Sequence, residues 1–166
     1  MDFMFDRLTN GRSFRTLNVL DDFNREVVNI VVDTSISSHR VARELSQMFE
    51  WRGKPRTIRV DNGPEFLALK QWCESNGIEL KFIQPAKPNQ NAYIERFNRT
   101  YRDEVLGAYL FDNLDQVRME TEKFIWKYNN IRPHDSLKNV TPRAFLLKYG
   151  KLPAAQAEAE YPTFQQ

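Results

Sequence analysis

The first third of the chain has the hydrophobic pattern of three short strands joined by tight turns. Phe, Leu, Val and Ile are concentrated in residues 2–6, 14–20 and 26–32, and these residue types favour strands. Asn10-Gly11 is a hairpin signal, and the polar run 21–24 indicates a second turn. Three successive strands with short connections predict an antiparallel meander.

The next stretch alternates between helical and strand patterns. Ser38 is placed to cap a helix that Gly53 and Pro55 would end. The apolar residues of this helix recur at helical spacing: Val41, Leu45, Met48 and Phe49. A strand at 57–60, a helix from Pro64 to about Ser75 and a strand at 79–83 follow. Strand–helix–strand crossovers are right-handed units that join parallel strands, so these later strands are predicted to pair in parallel.

The remainder of the chain is predicted to be helical. After a polar loop at 84–91, one helix carries an apolar stripe formed by Ile94, Phe97, Tyr101, Val105 and Ala108. Asn113, with Gln116 three residues later, is placed to cap a second helix. Thr141-Pro142 would open a short last helix. We expect one domain over residues 1–151 and a flexible tail over 152–166, because the tail is rich in Ala, Glu and Gln and has little to bury.

Composition narrows the class of protein. The 166 residues are 41% hydrophobic and 28% charged, as in ordinary globular domains, and no apolar run is long enough to span a membrane. The opening residues lack the basic start of a signal peptide. The single cysteine, Cys73, excludes an internal disulfide and a cysteine zinc cluster. We therefore expect a protein of a reducing, cytoplasmic compartment.

Three acidic residues are the candidates for chemistry. Asp2 lies in the first predicted strand, Asp61 directly follows the strand 57–60, and Glu95 lies on the helix after the polar loop. Mg²⁺ takes oxygen ligands, few of them from the protein, so dispersed carboxylates that converge suit a two-metal phosphoryl-transfer site. Simpler readings stay open from the residues alone: Asp2 could be solvated near the terminus, Asp61 could be a turn residue, and Glu95 could pair with Arg99 at i+4.

The order of elements and motifs resembles the RNase H-like catalytic core of the DDE transposases and retroviral integrases, and most of all that of bacterial insertion-sequence transposases. The motifs that carry the resemblance run in the family's order from residue 1 to about 148. They are Met1-Asp2-Phe3-Met4, residues 17–25, residues 52–55, Asp61-Asn62-Gly63-Pro64-Glu65, residues 84–96 and residues 128–134.

The resemblance implies a fold, a reaction and a site. The fold would be α/β and RNase H-like, with a mixed sheet of three antiparallel and two parallel strands flanked by helices. The reaction would be metal-dependent DNA strand cleavage and strand transfer, with Asp2, Asp61 and Glu95 as catalytic residues that hold two Mg²⁺ or Mn²⁺ ions.

The resemblance also implies partners. DNA, as transposon ends and target, would be the substrate, two ends would be joined by a homo-oligomer, and the protein would act at the nucleoid of a bacterium. The segment 81–102 has five basic residues against Glu95 alone, which fits a phosphate backbone as well as a solvated helix face. The candidate DNA-binding residues are Lys87, Asn89, Arg96, Arg99 and Arg102.

Two departures from the family pattern leave a second interpretation of the function possible. The 33 residues between Asp61 and Glu95 are two fewer than is usual in the family. The sequence also begins one residue before Asp2, so it does not include the helix-turn-helix region that family members carry. A truncated, inactive core that only binds DNA is therefore the alternative to an active transposase core. A stand-alone nuclease of RNase H type, which would cut RNA·DNA hybrids, is the less expected third reading.

Overall fold

A computed structural model describes residues 1–84 and 91–150 of the chain. The chain begins with three strands, β1 (Asp2–Arg7), β2 (Ser13–Leu20) and β3 (Val27–Asp33). Helix α1 (Ser38–Arg52), strand β4 (Thr57–Val60), helix α2 (Pro64–Ser75) and strand β5 (Glu79–Phe82) follow. The described C-terminal part contains α3 (Ala92–Tyr101), α4 (Leu114–Asn130) and α5 (Pro142–Tyr149). The predicted flexible tail, residues 152–166, lies outside the described residues.

The strands have the predicted order and directions. β1, β2 and β3 form an antiparallel sheet in sequence order, and β4 pairs with β5 in parallel. The five strands form two separate hydrogen-bonded sheets, one of three strands and one of two, rather than the single mixed sheet that the resemblance implies. The amino group of Met1 donates to the carbonyl of Arg59 at 2.7 Å, so the start of β1 lies beside β4. This contact places the first residues of β1 next to the end of β4.

Two hydrophobic clusters lie on opposite faces of the strands. Side chains of a strand alternate between its two faces. At the start of the chain, Met4 belongs to one cluster, whereas Met1 and Phe3 belong to the other. The first cluster packs the antiparallel sheet against α3 and α4, and the second packs it against α1 and α2. Asp2 alternates with Phe3 and therefore lies on the α3 face.

Helix α3 continues into a π-helical segment, Arg102–Leu106. The amide of Gly107 donates to the carbonyl of Arg102 at 2.7 Å, which is an i to i−5 bond that widens the last turn. The predicted apolar stripe is buried at Ile94, Phe97 and Tyr101 and at Val105. Its last member, Ala108, is exposed because the helix has already ended.

Helix caps account for the other boundaries. Ser37, rather than the predicted Ser38, caps α1, since its hydroxyl accepts from the amide of Arg40. Asn113 caps α4 and Thr141 caps α5, as predicted. Within the described residues, no helix is long and apolar enough to cross a membrane.

Candidate active site

Asp2 lies at the start of β1, with its carboxylate between the sheet and α3. One oxygen, Oδ1, accepts from the backbone amide of Phe3 at 2.8 Å. The other, Oδ2, accepts from the side-chain amide of Asn98 on α3 at 2.7 Å. Burial raises the pKa of the Asp2 carboxyl above its usual range, and the negative charge of Asp61 raises it further. A half-buried carboxylate with a like-charged neighbour is an unfavourable arrangement that a bound cation would relieve.

Asp61 follows β4 directly and caps the turn into α2. Its Oδ1 accepts from the amide of Gly63 at 2.8 Å, so the carboxylate folds back over its own turn. A Cβ atom on Gly63 would lie 2.9 Å from that oxygen, closer than such contacts allow. The absence of a side chain at Gly63 therefore leaves room for this orientation of Asp61. The amino group of Met1 donates to the carbonyl of Arg59, so Asp2 and Asp61 lie at the adjoining ends of β1 and β4.

Glu95 lies in the first turn of α3 with an exposed side chain. It makes no ion pair or hydrogen bond with the described side chains, but Asn98, which contacts Asp2, lies three residues later on the same helix. Positions three apart lie on neighbouring parts of a helix surface. Among residues 1–84 and 91–150, no group of three His, Cys, Asp or Glu side chains is placed to hold one ion. The structure thus places Asp2 and Asp61 at the adjoining ends of β1 and β4 and leaves Glu95 exposed on the helix that contacts Asp2.

The donor set suits a hard divalent cation. Asp2 and Asp61 offer carboxylate oxygens, which Mg²⁺ and Mn²⁺ prefer. Burial is the main reason that the pKa of the Asp2 carboxyl is raised, so its charged form is poorly solvated at this point. The residues present therefore fit the divalent ions that the sequence predicts.

Two asparagines of this site were not predicted. Asn98 joins Asp2 to α3, and Asn18, which is fully buried on β2, donates to the Oδ1 of Asn98 at 2.7 Å. The sequence contained a signal for Asn18, because Asn is disfavoured in a strand interior and costly to bury without partners. The signal did not identify the partner, which depends on how α3 packs on the sheet.

The predicted DNA-binding residues differ in their surroundings. Arg96 and Arg99 are exposed on α3 and form no ion pair with the described residues. Arg102 instead donates to the Oδ2 of Asp6 at 2.5 Å and to the carbonyl of Phe5 at 2.8 Å, which directs its side chain to β1. Lys87 and Asn89 lie outside the described residues.

The neighbouring acids are held by arginines. Asp21 and Asp22 pair with Arg52 and Arg59, respectively. Glu65, in the first turn of α2, accepts from Arg15 at 2.6 Å, and this hydrogen bond lowers the pKa of its carboxyl.

This combination of an antiparallel sheet, a parallel strand pair and flanking helices is the RNase H-like architecture of integrase catalytic cores. A family model described as integrase core domain matches residues 1–88, and a second model with the same description matches residues 76–142. The chain belongs to the integrase core domain family.

Relatives and solved structures agree with this assignment. The chain is 46% identical, over 151 residues, to the uncharacterized 31.7 kDa protein of insertion element IS407 from Burkholderia multivorans. It is also 46% identical, over 151 residues, to the uncharacterized 39.2 kDa protein of insertion element IS476 from Xanthomonas euvesicatoria. Each match covers 90% of this chain, but only 54% and 44% of those two proteins.

The HTLV-2 integrase catalytic core domain, solved in complex with magnesium in a trimeric form, shares the fold. Its TM-score is 0.64 at 20% sequence identity, over 87% of this chain and 94% of that one. This likeness confirms the predicted RNase H-like architecture.

Proposed function

We propose that the chain is the catalytic core of an insertion-element transposase, which cleaves DNA strands and transfers them to target DNA. The observation that carries this proposal is the position of Asp2: it lies at the start of β1 beside the end of β4, which leads to Asp61, and it bonds Asn98 on the helix that bears Glu95. The relatives from IS407 and IS476 support a role in transposition, since both are insertion-element proteins.

In this proposal Asp2, Asp61 and Glu95 hold two divalent ions, Mg²⁺ or Mn²⁺. Bound there, the ions supply charge stabilisation at phosphorus and an activated oxygen nucleophile, either water or a DNA 3′-hydroxyl. The magnesium in the HTLV-2 integrase complex supports this choice of ion. Asp2 is the central ligand because it is half-buried and oriented on both oxygens by hydrogen bonds.

DNA is the proposed substrate, and its backbone would lie along the exposed side of α3. Arg96 and Arg99 follow Glu95 by one and four residues and have no acidic partner among the described residues. They would therefore bind phosphates next to the one being cleaved, which positions the strand without reading its sequence. Lys87 and Asn89 are proposed to contribute to the same surface, whereas Arg102 would have to exchange its contact with Asp6 for DNA.

The proposed working form is a homo-oligomer that brings two transposon ends together at the bacterial nucleoid. The trimeric form of the HTLV-2 core supports self-association of this fold. Residues 1–151 are proposed as the folded core, of which the structure describes residues 1–84 and 91–150.

A cleavage assay on duplex DNA tests the proposal. The wild-type chain should nick or cut DNA with Mg²⁺ or Mn²⁺, whereas Asp61→Asn and Glu95→Gln should bind DNA without cutting it. Arg43→Ala is the matched control, because Arg43 lies on α1 at the opposite face of the sheet and pairs with Glu44. Metal-independent binding with no cleavage by any variant would favour the inactive DNA-binding core. Preferential cutting of RNA·DNA hybrids would favour a nuclease of RNase H type.

A further inference from the structure

A chain of side-chain hydrogen bonds leads from the sheet interior to Asp2. Thr16 Oγ1 donates to Asn18 Oδ1 at 2.9 Å, and Asn18 Nδ2 donates to Asn98 Oδ1 at 2.7 Å. Asn98 Nδ2 then donates to Asp2 Oδ2 at 2.7 Å. Asp2 and Asn18 are also direct partners in the β1–β2 ladder. The amide of Asn98 thus spans two side chains that already face each other across adjacent strands.

The direction of this chain is fixed by chemistry at each step. An ionised Asp2 accepts hydrogen bonds only, so Asn98 must present its NH₂ group to Asp2 and its oxygen to Asn18. Asn18 must then present its NH₂ group to Asn98, which leaves its oxygen for the hydroxyl of Thr16. Thr16 and Asn18 are both fully buried, so water does not compete for these bonds. Reversing the Asn98 amide would place two acceptors face to face at the Asp2 carboxylate, and reversing the Asn18 amide would do so at the oxygen of Asn98.

Burying Asn18 costs free energy of folding, and the fold does not need a polar residue at this position. Asn is poorly suited to a strand interior, and its amide loses hydration when buried. The neighbouring positions Phe14 and Leu17 of the same strand are buried and apolar. An apolar residue at position 18 would extend the core at lower cost, but it would leave the Asn98 oxygen without its donor.

We propose that Asn18 is a positioning residue for the catalytic site: it fixes the orientation of the Asn98 amide and, through it, holds the Asp2 carboxylate in place for a divalent cation. This role rests on the proposed function of Asp2 as a metal ligand. Removing a group that hydrogen-bonds to a metal ligand and orients it typically lowers metal affinity on the order of 10- to 100-fold.

Two variants and one control test the role of Asn18. Asn18→Leu keeps the branched shape of the side chain and removes the donor to Asn98. Thr16→Val keeps the shape of Thr16 and removes the donor that orients Asn18. The control is Asn129→Leu, because Asn129 is also a buried asparagine, but it bonds the backbone amide and carbonyl of Val27 at 2.8 and 2.9 Å.

Two measurements separate positioning from general stability. Mn²⁺ affinity, measured by titration calorimetry, should fall at least about tenfold in Asn18→Leu, fall less in Thr16→Val, and stay at the wild-type value in Asn129→Leu. The pKa of Asp2, measured by carboxyl NMR without metal, should rise in Asn18→Leu and Thr16→Val. In both variants Asn98 is no longer held in the orientation in which it donates to the carboxylate. It should not change in Asn129→Leu, even if that variant melts earlier.

An unchanged Asp2 pKa together with wild-type Mn²⁺ affinity in Asn18→Leu would overturn the proposal. If Asn18→Leu does not fold, the same two measurements on Thr16→Val decide in the same way. If the wild-type chain binds no Mn²⁺, the proposed function fails, and the metal-free pKa of Asp2 still decides: a rise in the variants supports the role of Asn18, and no change overturns it.

Discussion

Asp61 and Gly63 fit together so closely that a side chain at position 63 would meet the Asp61 carboxylate. A Cβ atom there would lie 2.9 Å from Asp61 Oδ1, the oxygen that the Gly63 amide already binds at 2.8 Å. Gly63 has ordinary backbone angles, φ −60 and ψ 144, so it is the space beside Asp61 that requires glycine here.

Gly63→Ala is therefore expected to separate metal binding from folding. The melting temperature of the metal-free protein should change little, because the restriction that alanine places on the unfolded chain offsets the loss of the hydrogen bond between the amide at position 63 and Asp61. Mn²⁺ affinity should fall, because the carboxylate of Asp61 must rotate away. Calorimetric melting and Mn²⁺ titration on the same samples check both statements, and unchanged affinity would show that Asp61 does not hold the ion in this orientation.

Asp61→Asn is expected to stabilise the protein without metal. An asparagine at 61 keeps an oxygen for the Gly63 amide and removes the charge that raises the pKa of Asp2. A raised carboxyl pKa means that folding is favoured when Asp2 is protonated and that this contribution is lost as pH rises through the folded pKa. The melting temperature at pH 7 should therefore rise, and the rise should disappear in acid, where Asp2 is protonated in both proteins.

With metal added, the wild-type chain should gain more stability than Asp61→Asn. A ligand that binds only the folded state stabilises it by mass action, so Mg²⁺ or Mn²⁺ should raise the melting temperature of the wild-type chain and much less that of Asp61→Asn. Equal metal-induced rises in the two proteins would place the ions elsewhere.

The sequence predicted the fold well because its local signals agree with one another. The strand at 57–60 and the helix from Pro64 to Ser75 have the predicted boundaries, since a β-branched run, a turn with glycine and a proline at the first helical position mark them. The parallel pairing of β4 with β5 followed from the intervening helix. The placement of Asp2 and Asp61 near each other follows from β1 lying beside β4.

Contacts across elements could not be predicted in the same way. The bond from Asn98 to Asp2 spans 96 residues and depends on which face of α3 meets the sheet. Arg102 lies seven residues after Glu95, but its contact with Asp6 depends on how the end of α3 packs on β1. Helical spacing alone placed Arg102 beside Glu95 and could not reveal that β1 offers it a carboxylate.

The exposed arginines of α3 lead to a prediction about salt dependence. Arg96→Ala and Arg99→Ala should each weaken binding to every DNA sequence alike and reduce the slope of log affinity against log salt by about one unit, because each phosphate contact releases counterions. Arg43→Ala on α1 should leave the slope unchanged. Fluorescence anisotropy over a range of salt concentrations measures it, and a wild-type slope in both α3 variants would remove this face from the DNA path.

Glu65 gives a prediction about pH that distinguishes a structural acid from a catalytic one. Arg15 donates to Glu65 at 2.6 Å, and its guanidinium also lies 3.8 Å from the centre of the Phe3 ring, so the pair joins α2 to the sheet. This hydrogen bond lowers the pKa of Glu65. A lowered carboxyl pKa contributes stability above the unfolded value of 4.5, and this contribution is lost as pH falls through the folded pKa.

Glu65→Gln should therefore lower the free energy of unfolding at pH 7 by about 1 kcal/mol, as expected for a partly exposed ion pair. The difference from wild type should shrink as pH falls below 4.5, because the unfolded wild-type carboxyl then takes up a proton while the folded one does so only at lower pH. Urea unfolding between pH 3 and pH 7, at roughly unit steps, measures this difference. DNA cleavage at pH 7 should persist in the variant, since Glu65 is held by Arg15 rather than directed at the Asp2–Asp61 pair. Loss of cleavage with unchanged stability would instead make Glu65 part of the active site.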